Sequence, residues 1–158
     1  MTTPERSQSI ELLDTLKRVL AEWTNPAFLE RMGHDAGLDL DSSAVMVLTL
    51  VGRREPVRPS SIAESMATGA SNVSKILARL EAVGLVERSP DPEDARATLA
   101  STTALGKEAA VRLDDVGVQA MQSMLREWKP AQRQQFLESL RRFEEATVLM
   151  VKTPLAEL

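Results

Sequence analysis

The chain has 158 residues, is 43% hydrophobic and 27% charged, and carries a formal net charge of −4. That length suits one domain that buries its own core, and the acidic balance argues at first against a nucleic-acid binder, which is more often basic. The absence of cysteine excludes disulfides, thiol nucleophiles and Cys-ligated zinc, and the single histidine, His34, excludes a histidine pair for a metal.

The first third reads as helix. Leu13, Leu16, Leu20 and Trp23 recur at spacings of 3, 4 and 3, which places them on one helical face. Asn25-Pro26 interrupts the helix, because proline disfavours the helical conformation of the residue before it. A short continuation carries Phe28, Leu29 and Met32, and Gly33 and Gly37 bracket a loop. His34 falls in that loop with Asp35 and Asp39; the reading as a solvated loop residue stands against a metal role, and no metal ligand is assigned. Asp41 is a good N-cap for a helix through Ala44–Val51. That stretch is apolar almost all round, as in a buried central helix; a buried strand is the competing reading.

The middle third carries the most information. Val57-Arg58-Pro59 is extended, and Pro59 opens a helix through Ile62, Ala63 and Met66. Ala67-Thr68-Gly69 turns the chain into a second helix, Ala70 to Val83, with Val73, Ile76, Leu77 and Leu80 inward and Gly84 as its terminal glycine. Two helices joined by so short a turn have helix-turn-helix spacing. Leu85–Arg88 and Arg96–Ser101 read as strands flanking a turn-rich loop, Ser89–Ala95. A helix-turn-helix followed by a hairpin is a winged helix. Turn chemistry explains the acidic tip Asp91, Glu93 and Asp94 better than a cation site does.

The outward faces of this segment fit duplex DNA. The second helix presents Ser71, Asn72, Ser74, Lys75 and Arg79 from its N-terminal end. Ser and Asn bond base edges, Lys and Arg meet guanine or phosphate, and a helix N-terminus suits an anion. The alternative is a cap at Ser71 and an ordinary solvated face at Lys75 and Arg79. Arg88 and Arg96 lie on the two hairpin arms, from which an arginine reaches a minor groove. A local salt bridge from Arg96 to Asp94 competes with that role, or pre-orients Arg96 for it.

The last third is helical again. Thr103 caps a helix expected to reach Trp128, about 39 Å at about 1.5 Å per residue. Pro130 starts another, in which Phe136, Leu140 and Phe143 share a face. Such faces on the terminal helices need a partner, most simply an identical chain. Leu13, Leu16, Leu20, Phe136, Leu140 and Phe143 are therefore the expected dimerisation residues; the alternative is that the faces cover each other in a monomeric bundle.

The stretch from Asp94 to Gly106 resembles the wing signature of MarR-type transcriptional regulators: Asp-x-Arg, a short strand, then Leu-Thr-x-x-Gly. Asp94, Arg96, Thr103 and Gly106 match it, whereas Thr102 stands where the family usually has Leu. Leu80-Glu81-x-x-Gly84-Leu85-Val86 resembles the end of that family's recognition helix. Gly69-Ala70-Ser71 departs from the frequent Ser-Pro-Ser. Ala67 stands where glycine is common, so a left-handed backbone there costs about 1 kcal/mol. The resemblance covers essentially the whole chain. It implies a homodimer in which each winged helix reads half of a palindromic site, with Asp94 orienting the wing. Many such proteins are repressors released by small aromatic or phenolic compounds. The family's helix positions make Trp23, Phe28, Met46 and Leu50 the candidate effector-binding residues here.

The fold class expected is mainly α with a small β-wing. A single MarR-like domain spans 1–158, with 53–106 as the winged helix-turn-helix and 1–52 and 107–158 as a helical dimerisation and core region. The function expected is sequence-specific binding of double-stranded DNA by a homodimeric regulator; the alternative is a winged-helix module that docks protein. No Ser-His-Asp, Cys-His, metal or phosphate-loop constellation supports an enzyme, and no cofactor is expected. Aromatics are only 3%, which disfavours platforms for single-stranded bases. The longest apolar run, Ala44–Leu48, is far short of the roughly 20 residues of a membrane span, and no signal peptide is visible, so the expected location is the cytoplasm. Charge is uneven. Residues 1–52 hold 4 Lys+Arg and 8 Asp+Glu, residues 53–112 hold 9 and 8, and residues 113–158 hold 6 and 7. The winged helix lies in the one stretch that is not acidic, which weakens the objection from net charge.

Overall fold

Prolines and short polar caps set the breaks between helices. The computed structural model describes residues 3–152. The chain forms two compact units, one up to Gly117 and one from Val118 onward. In the first unit α1 (Thr3–Trp23) gives way to α2 (Pro26–Asp35), then α3 (Ser42–Arg54), α4 (Pro59–Ser65) and α5 (Ala70–Ala82). Strands β1 (Val86–Asp91) and β2 (Asp94–Thr102) follow, and α6 (Ala104–Met124) runs into the second unit, which holds α7 (Pro130–Lys152). Among the described residues no helix is long and apolar enough to cross a membrane.

The expected cap at Asp41 is in place, and Asn25, read only as a helix break, proves to cap α2. The Asn25 side chain accepts the Ala27 amide at 3.0 Å, and Asp41 Oδ1 accepts the Ala44 amide at 2.8 Å. Pro59 and Pro130 stand at the first positions of α4 and α7, where a missing N–H is harmless. Gly84 takes φ +72° and ends α5, and Ala67 takes φ +47°, the left-handed turn anticipated between α4 and α5. Residues 44–51 are helix, not strand, and Ala44, Val45, Val47, Leu48 and Val51 are buried. Around them pack Ile62 and Ala63 of α4, Val73, Ile76, Leu77 and Leu80 of α5, Val86, Ala100, and Ala109 and Leu113 of α6.

Three boundaries differ from expectation. The hairpin arms extend to Asp91 and from Asp94, so the loop expected at Ser89–Ala95 shrinks to Pro92-Glu93. Gly33 does not open a loop; α2 continues through it to Asp35, and the turn comes at Gly37 with φ +71°. A Cβ at Gly33 would lie 2.9 Å from Val45 Cγ2, so this glycine serves close packing of α2 on α3. His34 accordingly sits exposed in the last turn of α2, 3.6 Å from Asp35. Helix α6 ends at Met124 and not at Trp128. Pro130 disfavours helix at Lys129, the Lys129 amide turns to Gln132 Oε1 at 2.8 Å, and Trp128 packs edge-on against Phe136 at 5.4 Å.

The hairpin is antiparallel, with Val86 opposite Thr102 and Arg88 opposite Ala100. Its base gains a third pairing, because Val57 exchanges both backbone hydrogen bonds with Ala100 at 3.0 and 2.9 Å. Near the tip the register jumps from Pro90 opposite Thr98 to Asp91 opposite Asp94. Residues 95–97 therefore lack cross-strand partners and form a bulge, a device that re-aims side chains.

Thr103 and Gly106 join the winged helix to α6. The Thr103 hydroxyl donates to the Gly84 carbonyl at 2.6 Å and accepts the Gly106 amide at 3.0 Å. A Cβ at Gly106 would lie 1.8 Å from the Leu85 carbonyl oxygen. No side chain fits there.

Candidate nucleic-acid interface

Helix α5 has two distinct faces. Val73, Ile76, Leu77 and Leu80 are fully buried, which leaves Ser71, Asn72, Ser74, Lys75 and Arg79 outside at the complementary helical positions. Gly69 caps the helix with no side chain, and the Asn72 amide group donates to Thr68 Oγ1 at 3.2 Å. The first turn thus carries small polar groups and no acid.

The cations of this region fall into two groups. Arg79 is held by the α3 N-cap: its Nη1 bonds Asp41, and Nη2 reaches Ser43 Oγ at 3.4 Å. Arg79, and against partial burial the Ser43 hydroxyl and Ala44 amide, hold the Asp41 carboxyl down at about 2. Arg88 turns inward from β1. Its Nη2 donates to the Ser74 carbonyl at 2.9 Å, its Nε lies 3.6 Å from Glu81, and its side chain is about three-quarters buried. Arg88 therefore ties the hairpin to α5 instead of extending from the wing.

The same holds for cations that the sequence did not single out. Arg53 pairs with Asp114 at 3.2 Å, Arg54 donates to Ser65 at 3.1 Å, and Arg112 donates to the Ala36 carbonyl at 2.9 Å. Lys107 lies 3.5 Å from Glu55, whose carboxylate also takes the Thr102 hydroxyl and amide. Burial pushes the Glu55 carboxyl up, but these three donors outweigh it and hold it below its ordinary range. Thr102, in the position the family usually gives to Leu, is thus buried with both polar groups bonded. Arg58 Nε donates to Asp91 at 2.6 Å, and its Nη2 lies 3.4 Å from Glu93. Arg58 and the Glu93 amide hold the Asp91 carboxyl below the usual carboxylate range.

Seven of the nine cations in residues 53–112 are therefore engaged within the chain. Lys75 and Arg96 are the two whose side chains have no partner among the described residues, and both are exposed. Arg96 sits in the bulge. Asp94 Oδ1 accepts its backbone amide at 3.0 Å, so Asp94 holds the main chain of Arg96 and leaves the guanidinium outside. That is an Asx-type turn, in place of the side-chain salt bridge weighed from the sequence.

Arg58, Asp91 and Glu55 were not legible as a set. Their partners lie 33 and 47 residues away, beyond any local pattern.

The remaining candidates lie elsewhere. Trp23 and Phe28 meet edge-to-face at 5.6 Å, and Met46 and Leu50 stand one turn apart, half-buried, on α3. A groove of about 650 Å³ beside the loop that joins α2 to α3 is lined by Glu30, His34, Leu38, Asp39, Leu40 and Asp41, none of them from that effector set. Leu13 and Leu20 of α1 and Phe136, Leu140 and Phe143 of α7 are exposed, and Leu16 is half-buried.

A short-turned helix pair followed by a bulged hairpin defines a winged helix-turn-helix of the kind found in DNA-binding transcriptional regulators. The model of the MarR family matches residues 40–98, from before α3 to the middle of β2. The HTH-type transcriptional regulator YxaD of Bacillus subtilis strain 168 is 31% identical over 110 residues, covering 70% of this chain and 77% of that protein. A second regulator of that organism, YfiV, is 31% identical over 103 residues, covering 65% of this chain and 64% of the relative. A crystal structure of MarR superposes with a TM-score of 0.71 at 24% identity, covering 87% of this chain and 93% of that one. A MarR transcriptional regulator from Methanosarcina mazei Go1 superposes equally well, with a TM-score of 0.71 at 15% identity, over 89% and 99% of the two chains. The chain belongs to the MarR family and is a transcriptional regulator of the DNA-binding, winged-helix type.

Proposed function

We propose that the protein is a homodimeric repressor of the cytoplasm that reads a palindromic duplex, one half-site per winged helix. Residues 53–106 form the reading head, and 1–52 and 107–158 supply the core and dimer contacts of a single MarR-like domain. The observation that carries this reading is the pattern of free charge. Of the nine cations in residues 53–112, the two without an internal partner among the described residues stand in the second turn of α5 and in the wing bulge. Ser71, Asn72 and Ser74 read base edges in the major groove, Lys75 meets guanine or phosphate, and Arg96 enters the minor groove. Arg79 and Arg88, held by the chain's own acceptors, keep α5 in place for them. The exposed apolar faces of α1 and α7 support a dimer. A small aromatic compound that reaches Trp23, Phe28, Met46 and Leu50 releases the DNA.

Selection of duplexes from a random-sequence pool by the wild-type protein tests this. The expected product is a palindrome with half-site centres about 10 bp apart. Affinity for it falls steeply with salt, and Lys75→Ala lowers the salt slope by about 1 per half-site. Recovery of no enriched duplex, or salt-independent retention, overturns the reading.

A further inference from the structure

We propose that Arg58 is a positioning residue that sets the wing, and through it the place of Arg96, before DNA arrives. This rests on the DNA-binding reading above. Arg58 stands at a junction. Its predecessor Val57 is hydrogen-bonded both ways to Ala100 in the wing, and its own carbonyl accepts the Ser61 and Ile62 amides that begin α4. The main chain there is thus fixed to the helix-turn-helix on one side and to the hairpin base on the other. From this anchor the side chain crosses to the far end of the hairpin and meets Asp91 at 2.6 Å.

Asp91 is what gives that contact its leverage. Its side chain is only 2% exposed with Arg58 in place, so a wing orientation that separates the two gives up a short charge-assisted hydrogen bond and uncovers the carboxylate. A two-stranded hairpin is otherwise marginal in water, and this one has a bulge next to its tip. Asp91 Oδ1 also takes the Glu93 amide at 2.9 Å, which shapes the turn, and Asp94, directly opposite Asp91 in the register, takes the Arg96 amide. Arg58, Asp91, Asp94 and Arg96 therefore form one mechanical chain from α4 to the exposed guanidinium. The Nε of Arg58 is committed to Asp91 and its Nη2 to Glu93, so two acids already offset its charge. The weaker of the two contacts is the one to Glu93, which is almost fully exposed.

The test combines amide exchange with a double-mutant cycle on full-length protein. In Arg58→Gln the Glu93 and Arg96 amides should exchange about tenfold faster, while amides in the middle of α5 keep their protection. On the duplex selected by wild-type protein, Arg58→Gln and Arg96→Ala should each weaken binding about tenfold. The double variant should lose no more than Arg96→Ala alone, because Arg58 acts through Arg96. A general loss of stability would not produce that non-additivity. Asp91→Asn breaks the same pair from the other end and should reproduce the pattern if Arg58→Gln folds poorly. Unchanged exchange at Glu93 and Arg96 overturns the proposal, as do additive losses or a salt slope lowered by Arg58→Gln, which would make Arg58 a phosphate contact. If wild-type protein enriches no duplex but Arg58→Gln still frees the wing amides, the clamp stands and the DNA reading falls.

Discussion

Helices α5 and α7 carry apolar residues at the same 3-and-4 spacing and meet opposite fates. In α5, Val73, Ile76, Leu77 and Leu80 are at most 2% exposed, whereas in α7 Phe136, Leu140 and Phe143 are 40%, 47% and 51% exposed. Periodicity states which residues share a face. It does not state whether the chain supplies the surface that covers it. For α5 the cover comes from α3, α4 and the hairpin, and it is complete. For α7 the apolar residues are left exposed, as the proposed dimer contact requires.

The contrast can be broken most severely on the sealed side. Gly106→Ala places a methyl group 1.8 Å from the Leu85 carbonyl oxygen, where the obstacle is backbone and cannot swing away. We expect a loss of about 3 kcal/mol or more in urea denaturation, or no folded protein at all. A loss under about 1 kcal/mol would mean that the junction of α6 with the hairpin is far looser than its geometry. On the open side, replacing Leu140 and Phe143 together by Asp should leave the fold of the first unit intact and convert dimers to monomers in light scattering. DNA affinity should fall with the dimer, since paired half-sites depend on it. A persistent dimer would remove α7 from the interface.

The smallest effect tests the α5–α3 latch. Asp41 has its carboxyl held at about 2, below the ordinary 3.8, so its contribution to stability is complete above 3.8 and is lost as pH falls through 2. The side chain is 41% exposed, so screening reduces that contribution to about 1 kcal/mol. Asp41→Asn keeps a competent helix cap and should flatten the acid limb of the stability curve between these values. An unchanged limb would show that Arg79 does not stabilise the carboxylate.

Much of this was readable from local chemistry. Asn25, Asp41, Pro59, Gly84 and Pro130 punctuate the chain as their conformational preferences require, and the inward set of α5 follows from spacing alone. The signature pair Thr103 and Gly106 also has a local half, the capping hydrogen bond. Its other half, the Leu85 carbonyl against Gly106, exists only in three dimensions. So do the partners of Arg58, Arg79 and Arg88, which lie 33, 38 and 14 residues away. An outward-facing arginine in a helix or strand pattern looks the same whether it faces solvent or a carboxylate from another element. Gly33 shows the converse: a glycine that reads as a loop marker is in fact a point of close helix packing.

The pairing of five of the nine cations in residues 53–112 with acids also bears on how the protein finds its target. Each arginine already matched to an acid adds little to the pull on a random stretch of duplex, and the first 52 residues add net negative charge. Such a chain should keep a light hold on wrong sequences and leave them quickly, which a weak salt dependence of binding to random duplex would show. Its search should proceed by frequent short visits in place of long sliding runs, with little of the population idle on the rest of the chromosome.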